Sequence, residues 1–289
     1  MTLPRVALET TLLCHGLPSS RALDVAAELD AIVREAGAQP AVIGVLDGVL
    51  RWDLSLDDLA CMLDGRPVEK IGARGIAGAV ARGVSAATTV SATMAIAAIY
   101  GIQVFATGGM GGVHRDAATS FDESEDLLAL SRYPVAVVSA GAKAILDLPK
   151  TLQRLETLSV PVVGYGTTSF AAFYHNLSGL EVSERIDDVR VLARLCQLRF
   201  HDSAHAGGVL VVNPVPESNC LPPTYVDAAI AAALAHANAI SASGARATPA
   251  ALSHLNSVDD GRFLETNIAV VKSNAQVAAV LAVAMHDAA

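Results

Sequence analysis

Short apolar runs alternate with amphipathic segments along the chain. The apolar runs, which predict strands, lie at residues 6–13, 41–46, 49–54, 103–106, 135–139, 162–165 and 208–212. Amphipathic spacing predicts helices at residues 20–36, 87–100, 124–132, 150–158, 187–200, 225–239 and 267–285, with a short helix after Thr248-Pro249. Asp47-Gly48 predicts a tight hairpin turn between the second and third runs. This alternation favours a single α/β/α sandwich domain over residues 1–289, with a central mixed, largely parallel sheet.

Composition narrows the class of protein. The chain has 289 residues, a formal net charge of −9 and 52% hydrophobic residues, which excludes a disordered chain and argues against a nucleic-acid-binding surface. No signal-peptide core precedes Glu9, and the apolar segment 268–285 is interrupted by polar residues, so we expect a buried helix there and no membrane partner. The cysteines are far apart and include no CxxC pair, which favours a reduced, cytoplasmic protein; they are Cys14, Cys61, Cys196 and Cys220.

Lys143 is a candidate nucleophile. Lysine is scarce in this chain, and Lys143 follows the apolar run 135–139 through Ala140-Gly141-Ala142, at the edge where open α/β sheets bind ligands. Apolar neighbours should lower the pKa of its ammonium, and a neutral amine can form a Schiff base with a sugar aldehyde. The alternative is a lysine whose ammonium extends to solvent at the sheet edge. The residues alone favour that alternative.

Glu9 is an acid inside the apolar run 6–13. A buried carboxyl group has a raised pKa and suits general-acid chemistry. Pairing with an arginine or capping of a helix explains the residue equally well.

Two loops carry further candidates. The glycine-rich segment 108–115 matches neither a Walker loop nor a dinucleotide fingerprint, and it permits close approach to a ligand or forms a turn. The acid-rich segment 119–126 precedes a predicted helix. Its acids either cap that helix or hold Mg²⁺ or Mn²⁺ together with water. Thr88-Thr89-Val90 begins another predicted helix, where free N–H groups suit a phosphate.

Five regions, in order, resemble motifs of the pseudouridine-5′-phosphate glycosidase family: Ala7–Thr11 with His15–Pro18, then residues 87–94, 104–115, 140–147 and 266–269. The resemblance covers nearly the whole chain. It implies an α/β/α homotrimer that requires a divalent cation, Mn²⁺ or alternatively Mg²⁺. It also implies an enzyme that makes or breaks the C–C bond between C1 of ribose 5-phosphate and C5 of uracil, with the ring-opened sugar held on a lysine.

The resemblance also assigns residue roles. It implies that Lys143 is the Schiff-base nucleophile, Glu9 the proton donor and Asp122 the metal ligand. The implied substrate-binding residues are Lys70, Thr89, Val90, His114, Ser124, Glu125, Asp126 and Asn267.

One segment departs from the family pattern. Thr168, Ser169 and Ala171 stand where the family has an aspartate, a glutamate and a proline. This predicts an aglycone other than uracil: a C-glycosynthase of secondary metabolism, such as antibiotic biosynthesis, that joins ribose 5-phosphate to an aromatic acceptor. The first alternative is a housekeeping glycosidase that releases uracil and ribose 5-phosphate. A sugar-phosphate aldolase or an inactive binding homologue are further alternatives, and the presence of Glu9 and Lys143 argues against the inactive one.

Overall fold

One ten-stranded sheet runs through the computed structural model, which describes residues 3–202, 206–239, 251, 254–255 and 259–288. The strands are β1 (Arg5–Glu9), β2 (Gln39–Leu46), β3 (Val49–Arg51), β4 (Glu69–Ile71), β5 (Ala86–Thr88), β6 (Val104–Ala106), β7 (Ala136–Ser139), β8 (Val162–Tyr165), β9 (Glu184–Ile186) and β10 (Val209–Val212). The short helix predicted after Thr248-Pro249 lies outside the described residues.

The strand order is β4-β5-β2-β1-β6-β7-β10-β8-β9, with β3 paired to β2. Among the described residues, seven strand pairs are parallel and two, β2 with β3 and β2 with β5, are antiparallel. The predicted fold class, a central mixed and largely parallel sheet, is therefore confirmed. Asp47 and Gly48 both have positive φ angles, 48° and 77°, as the predicted hairpin turn requires.

Helices cover both faces of the sheet. They are α1 (Ser19–Glu35), α2 (Leu56–Leu63), α3 (Ile76–Arg82), α4 (Val90–Ile99), α5 (Ala117–Ser120), α6 (Glu125–Arg132), α7 (Leu148–Thr157), α8 (Val189–Gln197), α9 (Pro223–Ala239) and α10 (Arg262–Asp287). Alternate residues of each central strand enter two apolar cores. Helices α1, α8 and α10 pack on one face, and α4 packs with α6 on the other.

Several predicted boundaries move. The strand predicted at residues 6–13 ends at Glu9, because the amide of Cys14 bonds to the carbonyl of Thr10 and residues Leu12–Gly16 form one wide helical turn. The helix predicted at 87–100 begins at Val90, because Ala86–Thr88 form β5. The helix predicted at 267–285 already begins at Arg262.

Helix α10 is the core helix that the apolar segment 268–285 predicts. It is long and apolar enough to cross a membrane by length and composition, but 56% of its most apolar window is buried inside the fold. It packs against α1, α8 and the strands β1, β6 and β7. Burial against these elements accounts for its apolar composition.

Candidate active site

The carboxyl ends of three adjacent parallel strands form the centre of the site. Glu9 is the last residue of β1, Thr107 follows β6 directly, and Lys143 follows β7 after a short turn. The register of the sheet sets these ends level with one another. This is the edge at which α/β sheets bind ligands. The predicted placement of Lys143 past the end of a buried strand is confirmed, whereas Glu9, predicted inside the run 6–13, ends its strand.

The reversed direction of β5 brings the start of α4 to the same place. Ile43 of β2 is paired with Glu9, and the hydroxyl of Thr88 donates to the carbonyl of Ile43 at 2.8 Å. Helix α4 follows immediately, with Thr89 as the capping position and Val90 as its first residue. The helix start predicted at Thr88-Thr89-Val90 is confirmed, and only β2 separates β5, which leads into this helix, from β1 and Glu9.

Glu9 is half-buried and accepts a hydrogen bond from the hydroxyl of Thr107. Burial raises the pKa of Glu9, and the charge of Lys143 and the Thr107 hydrogen bond oppose that rise. The charge of Asp126 raises the pKa of Glu9 further, while that of Lys70 lowers it slightly. Glu9 therefore keeps its proton to a higher pH than an ordinary glutamate, as a proton donor requires.

A second lysine lies within electrostatic range of this centre. Although Lys70 is exposed as a residue, partial loss of hydration lowers the pKa of its ammonium, and the charge of Lys143 lowers it further. Glu9 and Asp126 act in the opposite direction. His15 is also exposed, yet lost hydration and the charge of Lys70 lower the pKa of its imidazole. The two lysines thus form a basic region that suits an anionic substrate, whereas the lowered pKa of His15 leaves its imidazole uncharged at neutral pH.

Asp126 ties two parts of the site together. Its side chain is 4% exposed. One carboxylate oxygen accepts from the amide of Ser91 at 2.9 Å, and the other accepts from the amide of Gly111 at 2.8 Å. Asp126 therefore holds the start of α4 against the glycine-rich loop and also lies within electrostatic range of Glu9.

Ser124 and Glu125 have structural contacts of their own. The hydroxyl of Ser124 accepts from the amide of Asp126 at 3.2 Å and caps α6. Glu125 pairs with Arg74 at 2.6 Å between Oε1 and Nε. Helix capping, which the sequence left open as an explanation of the acid-rich segment, is thus present in the structure, and it is Ser124 that caps.

The glycines of residues 108–112 are packed against protein side chains. A Cβ atom at Gly109 would lie 2.6 Å from the ring of Phe173, and one at Gly112 would lie 2.7 Å from Cγ2 of Thr151. Phe173 itself has a φ of 67°, unusual for a bulky residue. These glycines therefore allow neighbouring protein side chains to pack closely against the loop backbone.

Asp122 and His114 lie together beside this loop. Oδ2 of Asp122 is 3.9 Å from Nδ1 of His114, and the amide of His114 donates to the carbonyl of Asp122. Across the described ranges, no group of three or more His, Cys, Asp or Glu side chains is placed to hold a metal. Asp122 and His114 therefore fit only a cation that keeps most of its water ligands and binds one or two carboxylates, as Mg²⁺ does.

Two asparagines of α10 reach the same edge of the sheet. Oδ1 of Asn267 lies 3.1 Å from the position that a Cβ of Gly108 would occupy. Asn274, which is fully buried, donates to the carbonyls of Thr107 at 2.6 Å and Gly108 at 3.3 Å. Asn267 is predicted from the sequence as a site residue, whereas Thr107 and Asn274 are not. A polar amide inside the apolar segment 268–285 was the available signal for Asn274.

The segment that departs from the family pattern makes few contacts toward the reacting groups. Thr168 is exposed, and the hydroxyl of Ser169 donates to the carbonyl of Asn176 within the same loop at 2.9 Å. Ala171 is fully buried, with its carbonyl against Gly141. The residue of this segment that packs on the glycine-rich loop is Phe173, which matches the family pattern.

The chain is similar in sequence to a known protein family and to named enzymes. The family model described as "Indigoidine synthase A like protein" matches residues 2–284. A pseudouridine-5′-phosphate glycosidase of Streptomyces griseus is 47% identical over 286 residues, covering 99% of this chain and 88% of the relative. A protein of the same name from Chloroflexus aurantiacus is 48% identical over 285 residues, covering 98% and 93%.

Two crystal structures have the same fold. An indigoidine synthase A-like protein of Thermotoga maritima matches with a TM-score of 0.89 and 35% identity, covering 97% of this chain and 92% of that one. The prealnumycin C-glycosynthase AlnA, solved in complex with ribulose 5-phosphate, matches with a TM-score of 0.90 and 36% identity, covering 99% and 92%. The predicted family resemblance is confirmed.

Proposed function

This chain belongs to the indigoidine synthase A-like family, together with the pseudouridine-5′-phosphate glycosidases it matches, and on that premise we propose that it is a C-glycosidase that cleaves pseudouridine 5′-phosphate into uracil and ribose 5-phosphate. The observation that carries the proposal is the pairing of an acid, Glu9, with an amine, Lys143, at level strand ends and within electrostatic range. Relatives of that name at 47% and 48% identity support the substrate.

The chemistry of a C–C glycosidic bond explains why both groups are needed. Protonating a leaving oxygen, as two-carboxylate glycosidases do, does not release a carbon leaving group. In our proposal Glu9 gives its proton to the ribose ring oxygen as the sugar opens, and the Lys143 amine bonds to C1. When the C1–C5 bond breaks, its electron pair goes to uracil C5, which takes up a proton. Water then hydrolyses the C1 imine left on Lys143.

The surrounding residues divide the remaining work. We assign the phosphate and sugar hydroxyls to Lys70, to the start of α4 at Thr89 and Val90, and to the loop that Asp126 anchors. His114 and Asn267 lie beside the glycine-rich loop, and we place the uracil base next to these two side chains. Ser124 and Glu125 complete the substrate-binding segment as well as capping α6 and pairing with Arg74.

A divalent cation completes the proposal. Asp122 would hold it with a shell of water, because a hard cation such as Mn²⁺ or Mg²⁺ accepts one carboxylate and several waters. When bound, such a cation supplies positive charge that complements the substrate phosphate. We further propose that residues 1–289 act as one catalytic domain, as a homotrimer, in the cytoplasm; the trimer rests on the family resemblance.

C-ribosylation of an aromatic acceptor, the main prediction from the sequence, is the second candidate. The similarity to the prealnumycin C-glycosynthase favours it. The loop on which that prediction depends supports it less well, since Thr168 is exposed and Ser169 bonds within the loop. The glycosidase relatives are also more similar to this chain than the C-glycosynthase is. The housekeeping alternative is therefore the better supported one.

A turnover assay separates the two candidates. Purified protein with Mn²⁺ is given pseudouridine 5′-phosphate, and uracil and ribose 5-phosphate are measured by mass spectrometry. In the reverse direction, ribose 5-phosphate is held constant and kcat/KM is compared for uracil and a panel of flat aromatic acceptors, with Glu9→Gln as the inactive control. We expect efficient cleavage and a clear preference for uracil. An aromatic acceptor that couples much better than uracil would overturn the proposal in favour of the second candidate.

A further inference from the structure

A buried chain of hydrogen bonds leads to Glu9 from the opposite face of the sheet. The hydroxyl of Thr107 donates to Glu9, and the carbonyl of Thr107 accepts from Nδ2 of Asn274 at 2.6 Å. The amide of Thr107 donates to the carbonyl of Val138 at 3.1 Å. Both Thr107 and Asn274 are 0% exposed. The backbone of Thr107 is thus held on both its amide and its carbonyl, and its hydroxyl is engaged with Glu9.

Asn274 is itself held in one orientation. Nδ2 of Asn213 donates to Oδ1 of Asn274 at 2.9 Å, and the backbone amide of Asn213 donates to the carbonyl of Ser139 at 2.9 Å. The carboxamide therefore has its oxygen toward β10 and its nitrogen toward the end of β6. This fixes the amide so that only its donor side faces Thr107 and Gly108.

Stability alone gives little reason for an asparagine at this position. Burial of an amide costs free energy unless every hydrogen bond is made, and an apolar residue would suit the inner face of α10. Satisfied buried polar networks rigidify the groups that they contact. The contact that matters for chemistry here is the one through Thr107 to the proton donor.

We propose that Asn274 is a positioning residue that acts through Thr107 to orient the carboxyl group of Glu9. The inference rests on the proposed function, in which Glu9 gives a proton to the sugar. Asn274 is fully buried, and its side chain bonds to Asn213, Thr107 and Gly108. Its effect on the reaction is therefore on the position and proton affinity of Glu9, which Lys143, Lys70 and Asp126 also influence by charge.

The direction of the effect on Glu9 follows from the donor. A hydroxyl that donates to a carboxylate favours the charged form and so lowers the pKa of Glu9 against the rise caused by burial. Loss of that donor raises the pKa of Glu9 and releases its side chain. Glu9 then keeps its proton to a higher pH, but its carboxyl group is oriented less well toward the sugar. We therefore expect kcat to fall while KM changes little.

The test uses Thr107→Val, Thr107→Ser, Asn274→Ala and the double variant Thr107→Val/Asn274→Ala. Thr93→Val is the matched control, because Thr93 is equally buried but its hydroxyl donates to Thr88 at 3.0 Å. Steady-state kinetics with pseudouridine 5′-phosphate give kcat and KM. Infrared pH titration of the carboxylic-acid band, with Glu9→Gln as the blank, follows the protonation of Glu9 without any turnover.

We expect Thr107→Val to lower kcat about tenfold to a hundredfold, as loss of a hydrogen bond to a charged group implies, and to raise the pKa of Glu9. Thr107→Ser should restore both. Asn274→Ala should act in the same direction, and in the Thr107→Val background it should add little, because coupled residues are non-additive. Thr93→Val should leave the titration of Glu9 unchanged.

Additive effects of Thr107→Val and Asn274→Ala on kcat would overturn the inference. It would also be overturned if Asn274→Ala raised KM and left the titration of Glu9 unchanged. Asn274 would then act through Gly108 and the glycine-rich loop. Wild-type protein without turnover would contradict the proposed function instead, and the infrared titration would still decide the positioning of Glu9. If Asn274→Ala does not fold, two other measurements decide the inference. One is the comparison of Thr107→Val with Thr107→Ser. The other is Asn213→Asp, which removes the donor to Asn274.

Discussion

At the scale of single residues, the functional groups are held in states that do not favour stability. A carboxyl group whose pKa is raised in the folded state binds its proton more tightly there than in the unfolded chain. For Glu9 the cause is burial. Its contribution to stability is therefore present at low pH and is lost as pH rises from the ordinary glutamate range through the folded pKa. Such a trade-off is common at active sites.

Glu9→Gln should accordingly stabilise the protein at neutral pH. The variant resembles the protonated acid and cannot ionise, so its advantage over the wild type should be absent below the usual glutamate pKa and should grow as pH rises. Thermal unfolding measured as a function of pH checks this, with the exposed Glu184→Gln as control. A lower Tm for Glu9→Gln at neutral pH would contradict the raised pKa.

Asp122 provides the test of the metal. We expect chelator to abolish activity, added Mn²⁺ or Mg²⁺ to restore it, and Asp122→Ala to weaken Mn²⁺ binding measured by electron paramagnetic resonance. Asp116→Asn, an exposed acid nearby, is the control. Full activity of Asp122→Ala in chelator, with unchanged Mn²⁺ binding, would reject the assignment.

The residues of the site differ in how readable they are from sequence. Glu9 stands out as an acid inside an apolar run, and Lys143 stands out as a scarce lysine just past one, which indicates the edge of the sheet for Lys143. Thr107 is 98 residues from Glu9, and Asn274 is 167 residues from Thr107. Hydrogen bonds between such distant positions depend on strand order and on the packing of α10, which local patterns do not contain.

At the scale of elements, the glycine-rich loop is shaped by its packing. Side chains from the loop after β8, from the start of α6 and from α7 occupy the space in which Cβ atoms at Gly109, Gly111 and Gly112 would lie. The loop lies between Lys143, whose amide donates to the carbonyl of Met110, and Asp126. Its close fit therefore sets the distance between the lysine and the start of α4.

Gly111→Ala should destabilise the fold by about 1–3 kcal/mol, the usual cost of overpacking. Its Cβ would lie 2.6 Å from Cβ of Ser124 and 2.9 Å from Oδ2 of Asp126. Gly78→Ala in α3 is the matched control with opposite sign. Nothing lies within 4 Å of a Cβ there, so about 0.5–1 kcal/mol should be gained. Urea unfolding measures both, and equal stabilities would contradict the packing described.

Element prediction from sequence succeeds where burial is strong. The central strands β7, β8 and β10 and helices α1, α6 and α9 lie within about two residues of their predicted bounds. Elements α2, α3, α5, β4, β5 and β9 are missed, because they are short and carry no long apolar period. The antiparallel pairing of β2 with β5 brings α4 to the site. This pairing depends on tertiary contacts, which no local sequence pattern specifies.

At the scale of the whole molecule, the site draws on both halves of the chain. Groups from β1, β4, α4, β6, α6, β7 and α10 meet at one edge of the sheet. No fragment contains the complete set. Activity and global folding should therefore be lost together in denaturant.

The oligomeric state is a prediction at this scale. Light scattering after size exclusion should give a mass three times that of the 29.7 kDa chain. The trimer should persist on dilution to assay concentrations. A mass of one or two chains at all concentrations would contradict it, without affecting the assignment of Glu9 and Lys143.

The proposed mechanism requires a covalent bond between Lys143 and C1 of the ring-opened sugar. Ribose 5-phosphate is incubated with the protein, the imine is reduced with borohydride, and the adduct is located by peptide mass mapping, with Lys143→Arg and Lys70→Arg as the matched pair of lysine variants. We expect one sugar-phosphate adduct per chain on Lys143, retained in Lys70→Arg and absent in Lys143→Arg. An unmodified Lys143 in a protein that still turns over pseudouridine 5′-phosphate would contradict it.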